Sequence, residues 1–229
     1  MSIMLRLLKN VPLFQDLSDD ELEGIAPLFV ERKFKKNTVL FFEGDMGDEL
    51  FIIETGLVKV YRIDHVKEII LSLFDEGDFF GEMSLIQKGL TRSATAETLE
   101  ATTLHSLSRQ AFTQFLERTP KLSLKLLEMT MDRLRKANEQ IYDLTFLDVR
   151  SRTIKVLCRL AEEHGIDYKG QLLINMKLTH QQLANMAGTV RESVTKVLQE
   201  LQEEQIIAVE KKMVFIRNLE KLKHKTASV

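Results

Sequence analysis

Leu178 to Leu201, LTHQQLANMAGTVRESVTKVLQEL, reads as two short helices meeting at a tight turn. Thr179 is placed to cap the first helix, and Gln182 three residues later completes a capping box. Leu183, Ala184 and Ala187 give that helix an apolar face. Gly188 is the residue best suited to leave a helix at positive φ. Thr189 is then expected to cap the second helix, with Glu192 three residues on. Val190, Val194, Val197, Leu198 and Leu201 form its expected buried stripe. Arg191, Glu192, Thr195 and Lys196 are left on the outer side and toward the start. In a helix-turn-helix that part of the second helix enters the major groove. Arg and Lys donate to guanine N7 and O6, and Glu accepts from the cytosine amino group. The same helical hairpin also serves plain helical domains, so the reading depends on the rest of the chain.

Downstream, IIAVE (206–210) and MVFIR (213–217) meet at Lys211-Lys212 and read as a β-hairpin. A hairpin in that place makes a winged helix-turn-helix, with two lysines at its tip for the DNA backbone. Upstream, a strand LLINM (172–176) follows a loop GIDYKG (165–170), which ends an amphipathic helix over Asp148–His164. Cys158 lies in that helix's apolar pattern and reads as a buried structural thiol. From Arg150 onward there are 14 Lys and Arg against 9 Asp and Glu, and before it 18 against 25. The net charge of −2 therefore hides a basic C-terminal part, the footprint of a segment that meets phosphates.

Pro120–Leu147 is one long helical pattern. Leu127, Met131, Leu134, Asn138, Ile141 and Thr145 recur at steps of four and three, with Leu144 beside them. That is coiled-coil spacing, and a polar Asn138 in the seam would fix register in a dimer. The alternative is a helix lying on its own domain. Before it, from about Val30 to Arg109, short β-rich runs (TVLFFEGD, ELFIIETG, LVKVYRID, EIILSLF, SATAETLE, TTLHSLS) are split by Gly and Asp. This spacing predicts a barrel or jelly roll enclosing a pocket for one small ligand. Leu57, Val60 and Ile63 are candidates for one buried face. Residues 3–8 and 18–29 are expected helices, the second capped by Ser18 with Glu21.

Within the β-rich part, Gly77–Leu85 and Thr91–Ala96 are a candidate phosphate site. Gly81 allows close backbone approach, and 82–86 (Glu82, Met83, Ser84 and on) is expected to form a short helix offering N–H groups to an anion. Arg92 supplies a planar fork and Ser93 a hydroxyl, while Glu82 is an acceptor for a ribose hydroxyl. The competing reading is an Arg92–Glu82 ion pair tying loop to strand.

At 229 residues, 44% hydrophobic and 29% charged, the chain has the composition of a soluble globular protein of one large domain or two. No apolar run suits a bilayer, and MSIMLRLLKNVPLF lacks a signal peptide's apolar core, so a cytoplasmic protein is expected. One cysteine excludes an internal disulfide and an iron–sulfur cluster. His65 and His105 stand isolated, so haem and metal ligation are not expected. No metal-spaced cluster, nucleophile elbow or Walker loop points to an enzyme.

Four motifs in order, GDMGDELFIIETGLVKVY (44–61), FFGEMSLI…TRSATAE (79–97), FLDV (146–149) and LANMAGTVRESVTKVLQEL (183–201), resemble the cyclic-AMP receptor protein/FNR family of bacterial transcription regulators. The resemblance covers about Leu13 to Ile216. It implies an α+β protein with three parts. Residues 1–118 would be a cyclic-nucleotide-binding-like double-stranded β-helix, 119–147 a dimerisation helix, and 148–229 a winged helix-turn-helix. It implies a homodimer joined through the long helix, an effector pocket in the roll against that helix, and a TGTGA-like inverted repeat as operator. Gly81, Glu82, Met83, Arg92 and Ser93 match the family's cyclic-nucleotide contacts; Arg191, Glu192 and Lys196 match its base readers. Lys196 replaces an arginine, losing the planar fork. Ala137-Asn138 replaces the Thr-Ser pair that holds adenine, leaving Asn138 to meet a base or its twin. Cyclic AMP is thus one candidate effector beside another small molecule, an effector-independent regulator, or a nucleotide-binding module without DNA activity. Residues His164–Gly170 fall where activators of the family touch RNA polymerase.

Overall fold

The computed structural model describes residues 3–65, 67–87 and 89–226, and Lys88, inside the cassette, lies outside them. The chain divides into two units, Met1–Arg135 and Lys136–Val229. The division falls inside the long helix α5 (Pro120–Phe146). No described helix is long and apolar enough to cross a membrane.

The first unit opens with α1 (Ile3–Asn10) and α2 (Asp19–Ile25). Ser18 and Glu21 close the expected capping box, the Ser18 amide donating to the Glu21 carboxylate at 2.7 Å. The expected single helix over 18–29 stops at Ile25, because Pro27 turns the chain into a 3₁₀ segment over Ala26–Leu28. Eight strands follow: β1 (Val30–Phe34), β2 (Val39–Phe41), β3 (Glu49–Thr55), β4 (Val58–Asp64), β5 (Lys67–Phe74), β6 (Phe79–Phe80), β7 (Thr95–Thr98) and β8 (Thr102–Ser108). They form two four-stranded sheets, ordered β1-β8-β3-β6 and β2-β7-β4-β5. Phe51, Ile53, Phe80 and Leu104 of one sheet meet Val58 and Ala96 of the other in a shared core. This is the expected jelly roll.

Alternation sends Leu50, Ile52 and Leu107 to the opposite face of their sheet. There they pack with Leu8, Phe14, Leu22, Ile25, and with Phe112 of α4 (Arg109–Arg118) and Leu122 of α5. Leu57 is buried as expected, but Ile63 is 58% exposed. Val60 packs against the core between the sheets, whereas Ile63 lies at the exposed end of β4 between Arg62 and Asp64; Tyr61 is buried on the other face, under the Lys59 ammonium 4.0 Å from its ring centroid.

In the second unit, α6 (Val149–His164) touches α7 (His180–Ala187) and α8 (Arg191–Glu203). A sheet ordered β11-β12-β10-β9 completes it, from β9 (Gly165–Tyr168), β10 (Gln171–Ile174), β11 (Ile207–Glu210) and β12 (Met213–Ile216), followed by α9 (Leu219–His224). The expected loop GIDYKG is mostly strand β9. Lys169 and Gly170, both at positive φ, turn it into β10.

Along α5 only Leu122 and Leu126 are buried. Leu127, Met131, Leu134, Ile141 and Leu144 of the expected seam are exposed within the single chain.

Candidate nucleic-acid interface and effector cassette

Thr179 caps α7 as its sequence predicts. Its Oγ1 accepts from the Gln182 amide at 3.1 Å, and Gln182 Oε1 accepts from the Thr179 amide at 2.8 Å. Gly188 closes the helix at φ 63°, ψ 39°. The Thr189 amide then donates to Ala184 O at 3.0 Å, the outer bond of a Schellman turn. Thr189 therefore finishes α7 and does not cap α8. Val190 takes the N-cap without a side-chain bond and is 51% exposed, so it is not part of the buried stripe. The remaining stripe holds: Val194, Val197, Leu198 and Leu201 are buried. Arg191, Glu192 and Lys196 are exposed on the other side.

Thr195 is half-buried and occupied. Its Oγ1 donates to Arg191 O at 2.9 Å and lies 2.9 Å from His180 Nδ1. A hydroxyl has one proton, so His180 Nδ1 is the donor in the second bond. His180 thus braces α8 from the first position of α7, a role with no periodic signal in the sequence. Arg152 braces the turn, donating to Ala187 O at 2.9 Å and Leu147 O at 2.8 Å. In FLDV, Asp148 caps α6 by accepting from the Ser151 amide at 2.7 Å, which holds its carboxyl below the usual range. Lys155–Asp143 and Lys136–Glu163 ion pairs pin the last turns of α5 to α6.

The wing is the β11–β12 hairpin. Lys211 and Lys212 form its tip at φ 50° and 68°, a turn in which Asn-Gly is the easy choice. Two lysines held in the left-handed region cost of order 1–2 kcal/mol each. The Lys212 carbonyl accepts from the Leu178 amide at 3.1 Å, tying the tip to the entry of α7.

In the first unit, Arg92 is 6% exposed. Nη1 donates to Gly81 O at 2.7 Å and Ser84 Oγ at 3.1 Å, and Nη2 to Glu49 O at 2.7 Å. The guanidinium lies over the Phe41 ring, 4.2 Å from its centroid. Burial lowers its pKa. Its Nε is buried without a hydrogen-bond partner among the described residues. Gly81 sits at φ 88°, and a Cβ there would lie 2.7 Å from Arg92 Nη1. The competing reading, an Arg92–Glu82 ion pair, is not what forms: Glu82 is bonded to Arg133 of α5 at 2.5 Å. Arg133 also donates to Phe79 O at 2.7 Å.

Met83 and Ser93 are exposed, with the Ser93 hydroxyl 3.9 Å from the Met83 sulfur. Ser84 is buried in α3 (Met83–Ile86). Arg109 holds this short helix: it donates to Ser84 O and Leu85 O, both at 2.7 Å, and to Gly47 O at 2.8 Å. Asn138 is exposed on α5 in the second unit. The structure thus gathers Gly81, Ser84 and Arg92 directly and adds Arg133 and Arg109, whose partners lie too far along the chain for spacing to reveal.

A jelly roll bearing a buried, incompletely satisfied arginine, on the same chain as a winged helix-turn-helix, is the architecture of a DNA-binding regulator. Residues 31–119 match the family model "Cyclic nucleotide-binding domain", and 151–225 match "Crp-like helix-turn-helix domain". The chain is 31% identical over 217 residues to the CRP-like cAMP-activated global transcriptional regulator of Mycobacterium tuberculosis, covering 94% of this chain and 96% of that one. It is 33% identical over 202 residues to the Cyclic AMP receptor protein of Thermus thermophilus, covering 87% and 89%. Among solved structures, a CRP/FNR-family transcriptional regulator of Thermus thermophilus superposes with a TM-score of 0.71 at 28% identity, covering 87% of this chain and 99% of that one. The chain belongs to the Crp/Fnr family of transcription regulators and is a DNA-binding regulator.

Proposed function

We propose that this regulator works as a homodimer paired along α5 and reads an inverted TGTGA-like repeat with two copies of α8. The observation that carries it is the split of α8 into a buried stripe and an exposed Arg191, Glu192 and Lys196. The exposed apolar row on α5 supports pairing, since such a stripe needs a partner. In this reading 1–118 is the effector domain, 119–147 the dimerisation helix and 148–229 the reader, in the cytoplasm. Thr179, Thr189, Thr195, Lys211 and Lys212 border the contact, and the segment 164–170 faces RNA polymerase. The chain's work is recognition rather than catalysis.

The effector we favour is a small anion, with a cyclic nucleotide such as cyclic AMP as its test case. Arg92 Nε and the Ser93 hydroxyl suit a phosphate. Gly81, Met83 and Ser84 shape that end of the site. Glu82 would have to share its carboxylate between Arg133 and a ribose hydroxyl, and Asn138 would stand for the base contact.

The test joins two measurements. Sedimentation of the free chain should give a dimer that Leu134→Glu splits. Anisotropy titration should give tight binding to the inverted repeat over a scrambled duplex, tightened by cyclic AMP. A monomeric wild type, or equal affinity for both duplexes, overturns the reading. Unchanged binding with cyclic AMP removes that effector and leaves the DNA reading standing.

A further inference from the structure

On the sheet face turned away from the roll's interior, three neighbouring strands bring together Glu31 of β1, His105 of β8 and Glu54 of β3. Glu31 and His105 are direct partners in the β1–β8 register. Glu54 falls where the β3–β8 register shifts, between Ile53 and Thr55. Ile52 is the direct partner of His105, so alternation puts Glu54, two residues on, on the same face as the imidazole. His105 Nε2 lies 2.8 Å from Glu54 Oε2. One donor atom from each of the three residues lies within 4.8 Å of the other two. His105 is 7% exposed, so its ring is held by the fold. Glu31 is exposed.

The geometry points to a binding site for a first-row divalent cation on Glu31, Glu54 and His105. One imidazole and two carboxylates are the mixed nitrogen and oxygen donors that Zn²⁺ and Mn²⁺ accept. Metal–donor distances of about 2.1 Å require donors roughly 3–3.5 Å apart. The His105–Glu54 pair nearly meets that already, and a rotamer change at exposed Glu31 closes the third side. Water fills the open coordination position.

Lys33 stands beside the site. Its ammonium is 2.8 Å from the Glu31 carboxylate and also feels Glu54. Lys33 is a strand neighbour of Glu31 on the same face and is largely exposed. It supplies the positive charge that a cation would replace. That competition gives the proposal a sign that a purely structural ion network lacks: removing the lysine must strengthen cation binding.

The test is calorimetric titration of the full-length chain, free of any histidine tag, with Zn²⁺ and separately with Mn²⁺. The expected result is one equivalent bound by wild type, weakened about tenfold or more in Glu54→Gln and His105→Gln. Lys33→Met should bind more tightly than wild type, and His65→Gln should match wild type. Glu54 is half-exposed, so Glu54→Gln decides the matter if His105→Gln does not fold. No binding of either ion below about 1 mM overturns the proposal. So does an isotherm that Glu54→Gln leaves unchanged, or a Lys33→Met variant that binds no better than wild type.

Discussion

Gly188→Ala tests the turn from which the recognition helix is hung. The native glycine sits at φ 63°, ψ 39°. An alanine in that left-handed region costs about 1–2 kcal/mol. Its Cβ would also come 2.7 Å from Leu144 Cδ2. That atom ends a flexible side chain that is 48% exposed, so it can swing aside. Strain therefore outweighs the clash, and the total is about 1.5 kcal/mol. A domain of this size loses about 4–8 °C per kcal/mol, so the melting transition of the second unit should fall by roughly 6–12 °C. Differential scanning calorimetry of the full chain reads that shift. Gly188→Asn should fall less, since asparagine enters the left-handed region more readily. In a double-mutant cycle, Leu144→Ala should recover little of the loss. A Gly188→Ala melt within about 2 °C of wild type would refute the reasoning. So would full rescue by Leu144→Ala, which would make the contact, not the backbone, the cause.

Arg191→Ala should cost about 1–3 kcal/mol of operator affinity and relax base preference at one position, read by an operator scan. An even loss at every sequence would place Arg191 on the backbone instead. Lys211→Ala with Lys212→Ala should lower the slope of log affinity against log salt by about 1–2 and leave base preference alone. Burial pushes the Cys158 thiol up to about 11 from 9.0. The folded state thus favours the thiol, so its contribution to stability is full below about pH 9 and lost as pH rises toward 11. Iodoacetamide should accordingly modify native Cys158 about a hundredfold more slowly than a free cysteine at pH 8.

Features that depend on neighbours in sequence were legible. The Ser18/Glu21 and Thr179/Gln182 boxes form as read, because each is closed within four residues. The cap of α8 falls on Val190, one residue beyond the Thr189 that side-chain type favours. Thr189 has the right side chain, but its amide is already engaged in closing α7 on Ala184. Strand β1 leaves no signal in the sequence, because VERKF is almost wholly exposed and has no alternation. Ile63 carries a core-type side chain but sits at the exposed end of β4 between Arg62 and Asp64, a position that residue type alone does not show. Long-range partners were least visible. Glu82 meets Arg133 across 51 residues, and His105 meets Glu54 across 51, so His105 looked isolated. Spacing carries no trace of such pairs; only the sheet register and the helix cover create them.

The surroundings of Arg92 bear on which part of an effector this roll fits. Phe80 stacks on Phe51 and Phe74 at 5.3 and 5.7 Å, so aromatic rings occupy the middle of the roll. A purine entering there would have to move them, and dense interiors resist such moves. A phosphate group asks for less. It needs a donor that is already desolvated and still unpaired, and Arg92 Nε is one. Met83 and Ser93 are exposed, with the Ser93 hydroxyl 3.9 Å from the Met83 sulfur. Glu82 adds a second constraint. Its pair with Arg133 is largely buried, and drawing the carboxylate away would strand a guanidinium packed over Phe79. An effector that recruits Glu82 must therefore act on α5 as well, through Arg133. The anionic end of the proposed effector would thus be matched by groups already in place, whereas an end entering the roll would have to repack rings and a charge pair to be admitted.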